Sequence, residues 1–198
     1  MNESTNPLQS LLSHAARRLP RQTGEMDRFE ARYRQAGCDT VVLCDVSSSM
    51  SERAGSGRKI DHLREAVAAV WPIENGRLYV FSSHVEGASD PSQISEPSGG
   101  TALHLALITA EGLRPWRTLV ISDGRPDDEA AALAAAERLT GTIDVIYCGP
   151  DDDARGIEFM RRLARTGCGR LIVRDLVKMS SPSLTADVRQ ILALPAPR

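Results

Sequence analysis

The chain has 198 residues, 41% of them hydrophobic and 25% charged, with a formal net charge of -2. That length and balance suit one globular domain with a sizeable core, and the near-neutral charge argues against nucleic acid as the main partner. No apolar run approaches the length of a membrane span, and residues 1–7 lack the basic and apolar regions of a secretory signal. The four cysteines, Cys38, Cys44, Cys148 and Cys168, form no Cys-x-x-Cys pair. Reduced thiols in a cytoplasmic setting are the simplest expectation, and zinc is a poor match.

Taken in order, the chain opens with Asn6-Pro7, an N-cap followed by proline at the first helical position. Leu8, Leu11, Leu12, Ala15 and Leu19 recur at helical spacing up to Pro20. Residues 20–24 read as a linker, and Phe29 and Tyr33 fall on one face of a short helix ending near Gly37. Residues 1–36 are therefore expected to be an N-terminal helical extension, and residues 37–198 an α/β domain.

Within that domain, Thr40–Asp45 is a buried strand followed by a polar, glycine-rich loop at 51–59. This loop lacks the Gly-x-x-x-x-Gly-Lys-Ser/Thr pattern of a phosphate cradle. A helix follows from Ile60 to Trp71, with Pro72 as its stop and His62 expected to be exposed. Arg77–Ser82 is a second strand, and His84-Val85 starts a short edge strand. The Ser-, Pro- and Gly-rich stretch 88–100 is a loop leading into a helix from Ala102 to Gly112. Thr118–Ser122 is a third strand, and a helix from Pro126 to Leu139 begins with Asp127-Asp128-Glu129. Thr142–Cys148 is a fourth strand. The Asp151-Asp152-Asp153 run caps the next helix, whose apolar face is Ile157, Met160, Leu163 and Ala164. Arg170–Arg174 is the last strand. A turn at Ser180–Ser183 precedes a final helix bearing Leu184, Val188, Ile191 and Leu192, and the tail begins at Pro195. Alternating strands and helices imply a mostly parallel sheet with helices on both faces.

Candidate chemistry gathers at strand ends. The first strand ends on Asp45, and hydroxyls follow at Ser47 and Ser49. A carboxylate with two hydroxyls is a hard oxygen set, suited to magnesium rather than to thiophilic metals. Gly99-Gly100-Thr101 precedes a helix, and the third strand runs into Asp123. Parallel neighbours would bring Asp45 and Asp123 to one edge of the sheet, with Thr101 supplied by a nearby loop. His104 is read as packing or solvent-facing, since magnesium prefers oxygen.

Asp45-x-Ser47-x-Ser49, Thr101 and Asp123, in the contexts Asp-Val-Ser-Ser-Ser-Met, Gly-Gly-Thr and Ser-Asp-Gly, resemble the metal-ion-dependent adhesion site of the von Willebrand factor type A family. The resemblance covers roughly residues 38–194. It implies a doubly wound, Rossmann-like six-stranded sheet with the site where the strand order reverses. It also implies a Mg2+ site, open to Mn2+ or Ca2+, in which the serine and threonine hydroxyls bind directly and the aspartates often act through water. One position is left for an Asp or Glu carboxylate of a partner protein. The implied function is intracellular protein binding within a multiprotein assembly, sometimes beside an AAA+ ATPase, with no catalysis. Two other readings stay open: a metal-independent scaffold subunit binding through its helices, and a Mg-dependent phosphate-ester hydrolase. No general base is evident for the latter.

Overall fold

A computed structural model describes residues 38–178 and 181–193. The expected helix at 6–19, the linker at 20–24, the helix bearing Phe29 and Tyr33, and the tail from Pro195 lie outside the described residues. The chain divides into two units, Met1–Ala36 and Gly37–Arg198, and the described residues all belong to the second.

Six strands form one mixed sheet: β1 (Thr40–Asp45), β4 (Gly76–Phe81), β5 (Val85–Ala88), β6 (Arg117–Ser122), β7 (Thr142–Tyr147) and β8 (Leu171–Val173), in the order β5-β4-β1-β6-β7-β8. All neighbours are parallel except β5, which pairs antiparallel with β4 at one edge. β2 (Arg53–Ala54) and β3 (Gly57–Arg58) make a separate two-residue ribbon within the stretch expected to be a loop.

Five helices among the described residues complete the domain: α1 (Lys59–Ala68), α2 (Leu103–Leu113), α3 (Glu129–Ala136), α4 (Ala154–Thr166) and α5 (Ser181–Leu192). The two-residue periodicity of the strands sorts the core into two clusters. Val42, Cys44, Leu119 and Ile121 pack with Ile60, Leu63 and Val67 of α1 and with Leu184, Val188 and Ile191 of α5. Val41, Leu43, Val120 and Val145 pack with Leu103 and Leu107 of α2, Ala132 and Ala135 of α3, and Phe159 and Leu163 of α4. Every residue of β1 and β6 is buried. Their apolar members each contribute about 1.5–3 kcal/mol of transfer free energy, so the middle of the sheet is a firm base for the loops at its carboxyl edge.

Several boundaries differ from the sequence reading for local reasons. α1 begins one residue early, at Lys59, because Asp61 accepts the Arg58 backbone N–H in a capping arrangement. α3 begins at Glu129 because Asp128 is its N-cap, accepting from the Ala131 N–H at 2.8 Å. The expected turn at Ser180–Ser183 is replaced from Ser181 onward by the first turn of α5. His62 is buried rather than exposed, with its Nε2 2.7 Å from the Ala54 carbonyl oxygen. The β2–β3 ribbon runs directly into α1 and meets its first turns through Ala54 and His62.

Candidate metal centre

The chain leaves β1 toward β4 on one side and later returns to β6 on the other. The loops after β1 and β6 therefore diverge, leaving a crevice between two adjacent carboxyl ends. Cys44 stands opposite Ile121 in the ladder, so the next residues, Asp45 and Ser122, meet at the floor of this crevice.

Asp45 is fully buried. Its Oδ1 accepts the Ser47 backbone N–H at 2.7 Å, and its Oδ2 accepts the Ser122 hydroxyl at 2.5 Å. The first bond turns the chain sharply after the strand and swings Ser47 and Ser49 back over the strand end. Burial is the main influence on the Asp45 carboxyl and pushes it up to about 6. The hydrogen bonds from Ser122 and Ser47 oppose the rise, and the charge of Asp123 adds to it.

Above Asp45 the hydroxyls of Ser47 and Ser49 are 3.1 Å apart, and the Ser49 hydroxyl donates to Asp123 Oδ1 at 2.7 Å. A hydroxyl has one proton, so with Ser49 committed to Asp123 its lone pairs are available toward Ser47. Neighbouring ligands around Mg2+, with bonds of about 2.1 Å, are separated by about 3.0 Å in an octahedron. The spacing of these donors fits that edge length. Among the described residues no three His, Cys, Asp or Glu side chains form a metal-sized group. The donor set here has only two carboxylates, and its other three members are hydroxyls.

Thr101 is buried, and Ser98 and Gly99 before it tie its loop to the one after β1. The Gly99 carbonyl oxygen accepts from both the N–H and the hydroxyl of Ser48, at 3.1 and 3.0 Å. The Val46 carbonyl oxygen accepts the Ser98 N–H at 2.8 Å. Gly99 has a φ of +75°, a left-handed conformation that favours glycine. A Cβ on Gly100 would sit 2.5 Å from Asp127 Oδ2. That close approach lets Asp127 accept the Thr101 N–H at 2.9 Å while its own N–H donates to the Thr101 carbonyl at 3.0 Å. Asp127 is thus a clamp on Thr101, whereas the sequence reading used it only as part of an acidic helix start.

Lys59 was also missed. The sequence pattern places it at the end of a polar loop, yet it is the first residue of α1 and is 3% exposed. Its Nζ donates to Asp123 Oδ2 at 2.6 Å and to Glu52 Oε2 at 2.7 Å. The Lys59 backbone N–H donates to the Glu52 carbonyl at 3.0 Å, which closes the ribbon and aims the side chain inward. Burial works against the ammonium, but the bonds to Asp123 and Glu52 outweigh it and hold the lysine above its usual range. A signal existed in the sequence: a cation in the first turn opposes the helix dipole, so it needs another partner.

Asp45, Ser47, Ser49 and Asp123 therefore form one hydrogen-bonded group, whereas Thr101 bonds to Asp127 and its loop is tied to the one after β1 through Ser98 and Gly99. The fully buried members carry two carboxylates against one ammonium, and the fourth charged group, Glu52, is 63% exposed at the rim. Buried negative charge in excess beside uncharged oxygen donors is chemistry that suits a hard divalent cation. His104 lies in the first turn of α2, and its Nδ1 has no hydrogen-bond partner among the described residues. Of the aspartate run, Asp153 caps α4 through the Gly156 N–H at 3.1 Å and accepts the Tyr147 hydroxyl at 3.0 Å. No family model matches the chain, and a search of curated proteins finds no match.

Proposed function

We propose that this chain is a protein-binding module of the von Willebrand factor type A kind, doubly wound, with a Mg2+ ion held by Asp45, Ser47, Ser49, Thr101 and Asp123. Mn2+ and Ca2+ are acceptable substitutes for such a donor set. The observation that carries this reading is the convergence of Asp45, Ser47, Ser49 and Asp123 at one strand-end crevice, with hydroxyl spacing that suits an octahedral ion.

Both oxygens of Asp45 and both of Asp123 already accept hydrogen bonds from protein groups. The aspartates therefore suit an outer role, orienting hydroxyls and water, while the neutral hydroxyls contact the ion. An ion bound mainly by neutral donors keeps enough positive charge to attract a carboxylate from outside. The remaining position accepts an Asp or Glu side chain of a partner protein, and the loops around the crevice supply specificity. Ser47 and Ser49 have no His–Asp relay among their hydrogen bonds, which favours a ligand role over nucleophilic catalysis. Among the described residues no helix is long and apolar enough to cross a membrane. The partner we envisage is a component of a cytoplasmic multiprotein assembly, such as one containing an AAA+ ATPase.

The test is capture of partners from source extract by the immobilised chain, in magnesium and then in EDTA, with Thr101→Ala as control. Retention that needs both the ion and Thr101 supports the reading. Retention indifferent to both moves the function to metal-independent scaffolding through the helices.

A further inference from the structure

Lys59 sits where the proposed ion would feel it most. Its ammonium is buried, holds Oδ2 of Asp123 and leaves Oδ1 to Ser49. Lysine is almost never buried without a partner, and here the chain builds an entire ribbon, Glu52 to Arg58, to set it in place. The apolar core has no need of this cation, and an uncharged donor could orient Asp123 equally well.

Resting on the metal-site reading above, we infer that Lys59 is a built-in counterion that keeps Asp123 in its outer role and leaves the bound divalent ion with net positive charge. A divalent ion between two buried carboxylates is neutralised. With the Lys59 ammonium on Asp123, the buried members of the group retain one positive charge, and the charge of Glu52, exposed at the rim, is screened by solvent. The site thus holds its ion more weakly than two carboxylates alone would, and it attracts an anionic ligand more strongly. Lys59 is therefore a positioning residue that shifts affinity from the ion to the ion's acquired carboxylate. Glu52, at the rim, shares the ammonium and is the group that an incoming acidic ligand would compete with.

The experiment is a titration with Mn2+ alone, read by electron paramagnetic resonance of the free ion, followed by titration of the loaded protein with acetate. Lys59→Met is expected to tighten Mn2+ binding by about tenfold, the order for one unit charge acting on a divalent ion across a few ångströms of high dielectric. It is also expected to weaken acetate binding. Lys59→Arg keeps the charge and stays within about twofold of the unmutated chain in both titrations. Lys59→Gln keeps a donor without charge and replaces Lys59→Met if the latter does not fold. In an Asp123→Asn background the tightening is smaller, because only the direct repulsion between the ammonium and the ion is left to relieve. Unchanged or weaker Mn2+ binding in folded Lys59→Met and Lys59→Gln overturns the inference about Lys59. The metal-site reading has its own control: a Ser47→Ala/Ser49→Ala variant must lose the Mn2+ that the unmutated chain binds. No binding by either the unmutated chain or the Lys59 variants overturns both.

Discussion

Two acidic clusters share the carboxyl edge of this sheet and differ in almost every physical respect. At the ends of β1 and β6, Asp45 and Asp123 are buried, face hydroxyls and are balanced by one buried lysine. Beyond β7 and β8, Asp151, Asp153 and Asp175 are largely spent on local structure. Asp153 caps α4, Asp175 accepts the Val177 N–H at 2.9 Å, and Asp151 pairs with exposed Lys178 at 2.5 Å. The number of carboxylates is therefore a poor guide to a cation site. The useful signs are burial beyond what hydrogen bonds compensate and neutral oxygens already at ligand spacing. An exposed carboxylate is solvated by water and has little need of an ion.

The comparison breaks first, and hardest, if ion binding does not separate the clusters. Ser47→Ala with Ser49→Ala is expected to lower Mn2+ affinity by at least about 100-fold, beyond the usual loss from an outer-shell partner. Asp151→Asn with Asp152→Asn should leave it unchanged in the same titration. Similar losses in both variants would remove the distinction.

Asp127 sharpens the contrast, since it is exposed like Asp151 of the second cluster yet serves the first. Asp127→Ala frees the Thr101 N–H and is expected to weaken Mn2+ binding about tenfold. It should also cost about 1 kcal/mol in chemical denaturation. A stability loss with unaltered Mn2+ affinity would assign the clamp to the fold alone. The mirror case is Asp153→Ala, which removes the cap of α4. It is expected to cost about 1 kcal/mol with no effect on the ion, by the same two measurements. The smallest effect is expected for Lys178→Ala, whose pairs with Asp151 and Asp175 are solvent-exposed on the lysine side. Its Tm should match that of the unmutated chain, and a clear drop would show the second cluster to be more than a set of caps and surface pairs.

The strands and the two carboxylates at their ends were legible in the sequence because their signals are local. A run such as Thr40–Asp45 is buried on both sides and reads as a strand from composition alone. The change from apolar to oxygen-bearing residues at Asp45 and at Asp123 marks where each strand meets the crevice. Gly99-Gly100-Thr101 was recognisable as a pattern, but the need for Gly100 was not. That need comes from Asp127, 27 residues away, pressing against its Cα.

What the sequence determined by itself was the alternation of elements and the residue types at the strand ends, since periodicity and turn chemistry act over a few residues. The tertiary structure alone decided the strand order, and with it which strand ends became neighbours. It also buried His62 under the ribbon and carried Lys59 from an apparently solvated loop to Asp123, 64 residues away. The physical reason is charge. A buried ammonium is stable only beside a carboxylate, and no rule of local spacing says which carboxylate the fold will bring to it.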